Sequence, residues 1–152
     1  MRHLGVISLT IVATLILLCQ PAIGDDLADL KAANESIDKA LNAGDADALI
    51  AVFQDGAVLI MGTGFPRVTN NASLLPGLKG LFENITIRSN WYKVDYRVIG
   101  DTGLVWGVTI GRRTNKATNE TDTNYDKTCR VFVKSDGQWK MAMQHMSPII
   151  LE

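Results

Sequence analysis

From Ile85 onward, outside the polar run 113–124, the period of the apolar residues changes to that of strands whose two faces differ in polarity. Asn90–Val98 alternates without a break, placing Tyr92, Val94, Tyr96 and Val98 on one face and Lys93, Asp95 and Arg97 on the other. After a Gly100-Asp101-Thr102-Gly103 turn, Leu104, Trp106, Val108 and Ile110 form an apolar face opposed by Val105, Gly107, Thr109 and Gly111. Tyr125–Lys134 and Trp139–Met146 read as two further strands joined through Ser135-Asp136-Gly137-Gln138. Arg113–Asn124 holds no apolar residue except Ala117 and is expected to be an exposed loop between two long strands.

Ahead of Ile85 the period is helical. Asp25 and Asp26 are placed to cap a helix with Leu27, Leu30, Ile37 and Leu41 on one face, and Gly44 closes it. Asp45 is the N-cap of a second helix, Ala46 to Phe53, ending near Gly56. The apolar run Ala57–Met61 reads as a strand buried on both faces. Leu74, Leu75, Leu78, Leu81 and Phe82 signal a third helix, which tolerates Pro76 if Asn71 or Ser73 caps it and leaves the proline in the first turn. The order is helix, helix, strand, helix and four antiparallel strands, which makes the fold class α+β.

Met1–Gly24 has the layout of a secretory signal: basic Arg2, an apolar run from Leu4 to Cys19, and the small-x-small site Ala22-Ile23-Gly24. Residues 25–152 are then one exported domain, extracellular or periplasmic, with no membrane span left after cleavage. With 15 basic and 16 acidic residues the chain lacks the basic footprint of a nucleic-acid binder. Cys19 would leave with the signal, so Cys129 has no internal disulfide partner and is expected to be buried and inert.

Two stretches carry a family likeness. One is Ala43-Gly44-Asp45-Ala46-Asp47-Ala48-Leu49 followed by Phe53-Gln54-Asp55-Gly56-Ala57-Val58; the other is Val131-Phe132-Val133-Lys134-Ser135-Asp136-Gly137-Gln138-Trp139-Lys140 continuing to Gln144-His145-Met146-Ser147. Together they resemble the nuclear transport factor 2-like superfamily, in particular its SnoaL-like, steroid-isomerase-like branch. The resemblance implies a cone-shaped α+β fold, a curved antiparallel sheet on three helices with a pocket between, and commonly a homodimer formed through the convex face. The superfamily mixes isomerases, cyclases, hydratases, transport adaptors and assembly domains, so activity has to be argued from the site.

Steroid-isomerase chemistry needs a carboxylate base facing an apolar cavity. Asp95 is the strand carboxylate to test, although its neighbours Lys93 and Arg97 equally suit a solvated charge ladder. His145, the only histidine after residue 24, alternates onto the side of Trp139, Met141 and Met143, where it is either a general base or a core histidine bonded to a neighbouring strand. With no cysteine at ligand spacing it implies no metal site, and no cofactor is expected. Arg130 suits a clamp for a ligand carboxylate or an outward position at a dimer face. Met61, Tyr92, Tyr96 and Trp106 are expected to line the pocket or the core. Sequons at Asn34, Asn71, Asn84 and Asn119 are candidate glycosylation sites if the chain enters a eukaryotic secretory route. Three readings follow: a secreted domain holding a small apolar molecule, an enzyme using His145 or Asp95 for proton transfer, and a glycosylated extracellular assembly protein.

Overall fold

The computed structural model describes residues 25–62 and 64–150; the signal-like segment 1–24 lies outside them. The first helix, α1 (Asp26–Ala43), starts where Asp25 accepts hydrogen bonds from the Leu27 and Ala28 backbone N–H groups at 3.0 and 3.2 Å. It stops at Gly44, whose φ of +70° is open to glycine at little cost. Asp45 then accepts from the Ala48 N–H and opens α2 (Ala46–Val52), which gives way directly to β1 (Phe53–Met61). The remaining elements are β2 (Arg67–Val68), α3 (Asn71–Asn84), β3 (Ile85–Ile99), β4 (Thr102–Asn115), β5 (Thr121–Ser135) and β6 (Gln138–Pro148).

The strands form one sheet in the order β2-β1-β6-β5-β4-β3, antiparallel throughout except that β1 runs parallel to β6. The helices pack on one face, where Leu30, Ile37, Leu49 and Phe82 meet Val105, Phe132, Trp139 and Met141 in a single apolar core. The fold class is therefore the α+β arrangement expected.

Four local expectations change. The second helix ends at Val52 and β1 begins at Phe53, because Phe53 already has extended backbone angles. In β1 only Phe53 and Ala57 are buried, so this strand does not have two buried faces. Asn70, not Asn71 or Ser73, caps α3, so Pro76 sits in the second turn rather than the first and leaves the Ala72 carbonyl without its helical donor. The polar run Arg113–Asn124 is mostly strand: β4 and β5 pair out to Thr114–Thr121, where the two side-chain hydroxyls bond at 2.8 Å, and only the tip is a loop. Cross-strand threonine and ion-capable pairs replace apolar burial there, which apolar periodicity does not register.

Two β-bulges reset the alternation. Trp91 pairs with Thr109 and Lys93 with Val108, so Tyr92 is an extra residue in β3. Met141 pairs with Phe132 and Met143 with Val131, so Ala142 is an extra residue in β6. Beyond each bulge the side chains exchange faces.

Candidate functional site

Between α3 and the inner face of the sheet lies a cavity of about 960 Å³. One wall is aliphatic, with Ile37 and Leu41 from α1, Leu49 from α2, Leu74 and Leu78 from α3, and Leu59 from β1. The length of α3 and its leucines at helical spacing set this wall, and Gly77 adds no side chain to the space. Met61, Phe65, Val68 and Leu81 line it too and are themselves exposed, so the cavity is rimmed by apolar groups in contact with solvent.

The opposite wall is polar and is built mainly on β5, with Arg113 of β4 and Gln144 of β6 beside it. Asp122, Asn124 and Asp126 occupy alternate positions of β5, so all three point inward, and Arg113 faces Asp122 across the β4–β5 pairing. Asp126 is only 5% exposed, and its Oδ2 accepts a hydrogen bond from the Asn124 amide. That contact depends on Gly111, which pairs with Asn124 in the sheet: a β-carbon at 111 would lie 2.6 Å from the Asn124 Oδ1. In the sequence Asp126 lies beside Lys127 next to the polar run, not visibly enclosed by apolar neighbours. Counting its pairing back from the Val131–Phe132 core would have turned it inward.

Arg130 is 2% exposed and lies deeper on the same strand. Its Nε donates to the Gln144 Oε1 at 2.8 Å, one terminal nitrogen to the Asn34 Oδ1 at 2.7 Å, and the other to the Asp38 Oδ1 at 3.1 Å. Trp91 completes the arrangement: its indole N–H donates to Asp38 at 2.8 Å while the guanidinium stacks 5.2 Å from its ring centroid. Each guanidinium nitrogen thus has a protein partner and Arg130 is buried outside the cavity lining, so it is not placed as a ligand clamp, nor does it face outward. It fastens α1 to the sheet.

Tyr96 is the far end of this network, its hydroxyl accepting from the Asn34 amide at 3.2 Å. Burial pushes the phenol above the ordinary tyrosine range, with Glu35 and Asp38 adding to the rise against the Asn34 bond and Arg130. A folded-state pKa above the unfolded value means that the native state holds the proton more tightly. Stability is therefore complete below pH of about 10 and falls as pH rises beyond it. Urea midpoints at pH 9 and pH 11 are expected to drop further in the wild type than in Tyr96→Phe; equal drops would remove Tyr96 from the alkaline transition.

The other residues that the sequence singles out separate by face. Met61 lines the cavity. Tyr92 is 79% exposed, because the bulge turns it out and brings Trp91 in. Trp106 belongs to the outer face: Val105 is fully buried, so the Leu104–Ile110 apolar row looks away from the helices. Asp95 is exposed on that outer face beside Lys93 and Arg97. His145 is exposed as well, since the Ala142 bulge sends Gln144 and Met146 to the cavity and His145 outward next to Cys129. The expectation that it shares a side with Trp139 and Met141 is corrected by that one extra residue. Burial raises the Cys129 thiol above its ordinary range.

Of the sequon asparagines, Asn34 is fully buried in the Arg130 network and Asn71 donates its amide to the Phe53 carbonyl at 3.3 Å. Asn84 and Asn119 are exposed, the latter at the β4–β5 tip with φ of +58°.

Residues 30–151 match the SnoaL-like domain family. A ketosteroid isomerase-like protein from Erwinia carotovora atroseptica SCRI1043 is 26% identical and superposes with a TM-score of 0.68, covering 85% of this chain and 100% of that one. A proposed dehydratase of the NTF2-like family from Streptomyces avermitilis shares 17% identity at a TM-score of 0.71, over 83% and 98% of the two chains. A proposed calcium/calmodulin-dependent protein kinase II association domain from Xanthomonas campestris shares 16% at a TM-score of 0.67, over 79% and 85%. No curated protein matches the sequence significantly.

Proposed function

The chain belongs to the SnoaL-like domain family, and from that premise we propose that it is an exported protein holding a small, largely apolar molecule in the cavity beneath α3. The observation that carries this reading is the cavity itself: about 960 Å³, walled by Ile37, Leu41, Leu49, Leu74 and Leu78, with its carboxylates confined to β5. That volume, and an aliphatic wall with a limited set of polar groups, are typical of small-molecule sites. Aliphatic surface facing a cavity of this size is costly to keep in water, and an apolar occupant removes that cost.

Proton-transfer catalysis by His145 or Asp95 has no support from the geometry, since both point away from the cavity. A self-associating role has one observation in its favour, the outer row of Leu104, Trp106, Val108 and Ile110 beside Val131 and Met143. We therefore include a symmetric pair of chains joined through that face in the proposal.

Nile red, an uncharged apolar fluorophore, is expected to bind the protein, and Leu78→Trp, which fills the cavity from α3, to weaken it at least tenfold. Undiminished binding in Leu78→Trp would place the apolar site elsewhere. Native mass spectrometry of the protein from its own source tests the remainder. The expected species is a dimer of chains starting at Asp25 that retains a small molecule; a monomer, or a chain retaining residues 1–24, overturns the corresponding part.

A further inference from the structure

The aliphatic wall selects for an apolar body, and the opposite wall carries information about what that body bears. Asp126 is the one buried carboxylate on the cavity surface among the described residues. The four ion pairs among those residues are Lys39–Glu35, Lys79–Asp47, Arg130–Asp38 and Lys134–Asp26, so Asp126 belongs to none. Its Oδ2 accepts from Asn124; its Oδ1 receives no hydrogen bond from the described residues, and the residue lines the cavity.

The neighbouring polar side chains bond to one another and not to this oxygen. Thr109, which pairs with Asp126 across β4–β5, and Thr128 bond hydroxyl to hydroxyl at 2.7 Å. The Gln144 amide lies 3.3 Å from the Met146 sulfur, and its oxygen is taken by Arg130. The cationic groups of the lining, Arg67 and Arg113, are exposed, and Arg113 pairs in register with Asp122, four positions and roughly 13 Å along the strand from Asp126. A carboxylate with one oxygen unbonded and no counter-charge, in a cavity walled by aliphatic side chains, is expensive to bury. No donor of the described residues bonds to that oxygen; an occupant carrying one would.

We propose that the Asp126–Asn124 end of the cavity receives a protonated amine, so that the ligand is an apolar amine seated ammonium-first against Asp126. An ammonium supplies both the missing donor and the missing positive charge. An alcohol supplies the donor alone. A ketone supplies neither, and a carboxylate adds a second negative charge. The inference rests on the reading of this cavity as an apolar ligand site and sets a rank order within it.

Four probes with one hydrocarbon body resolve that order: 1-adamantylamine, 1-adamantanol, 2-adamantanone and 1-adamantanecarboxylate, titrated calorimetrically at pH 7. The amine is expected to bind at least tenfold more tightly than the alcohol, with the ketone weaker and the carboxylate weakest. In Asp126→Asn the advantage of amine over alcohol is expected to vanish, whereas Asp95→Asn on the outer face should preserve it. Equal affinity for amine, alcohol and ketone would overturn the head-group assignment while leaving the apolar site intact, and failure of all four to bind, with Nile red also unbound, would overturn both. The wild-type ranking stands as a test even if Asp126→Asn folds poorly. An amine preference that survives in a folded Asp126→Asn would refute the role of Asp126.

Discussion

Replacing Arg130 with methionine is expected to lower the unfolding free energy by about 3–5 kcal/mol, the usual cost of removing one partner from a buried ion pair. The substitution keeps the aliphatic volume but removes the donors to Gln144, Asn34 and Asp38 at 2.8, 2.7 and 3.1 Å. Asp38 then keeps only the Trp91 N–H, and Asn34, fully buried, loses the donor to its oxygen. Unmet groups of this kind account for most of the loss. The double substitution Arg130→Met with Asp38→Leu takes out both charges and is expected to recover at least half of it, because a buried pair and an apolar replacement are often nearly equal in stability. Urea denaturation of the two variants measures this. A single variant as stable as the wild type would show that the network does not hold α1 on the sheet.

Gly107→Ala is expected to cost about 3 kcal/mol or more, at or beyond the upper range for overpacking, because the obstruction is backbone. A β-carbon at 107 would stand 1.9 Å from the Lys93 carbonyl oxygen and 2.8 Å from its carbon. Lys93 follows the Tyr92 bulge, so neither atom can move aside by side-chain rotation; β3 and β4 would have to separate where Trp91 is aimed at Asp38. Gly80→Ala is the contrast. A β-carbon at 80, in α3, would find no atom within 4 Å, and that change is expected to stabilise by about 0.5–1 kcal/mol. Thermal and urea unfolding of both should move in opposite directions, and a neutral Gly107→Ala would contradict the close strand approach.

The network around Arg130 left a trace in the sequence that periodicity passed over. Asn34 falls on the stripe of Leu30 and Ile37, where an unpartnered amide would be costly, and Arg130 sits beside Val131 and Phe132. Two polar residues committed to apolar faces imply that they meet. Asp126 left less, because its polar neighbours on β5 look the same in a loop and in a strand that borders a cavity.

The positions of helices and strands, and the C-terminal motif that marks the family, follow from information local in the chain: caps at Asp25 and Asp45, a glycine stop at Gly44, and periods of 3.6 and two. Which side chains meet in the cavity does not. The extra residues Tyr92 and Ala142 are assigned by pairing with β4 and β5, partners distant in sequence, and each reverses the faces beyond it. A single-residue bulge therefore exchanges His145 for Gln144 and Tyr92 for Trp91, and strand pairing, not composition, leaves Asp126 as the buried carboxylate facing the apolar wall.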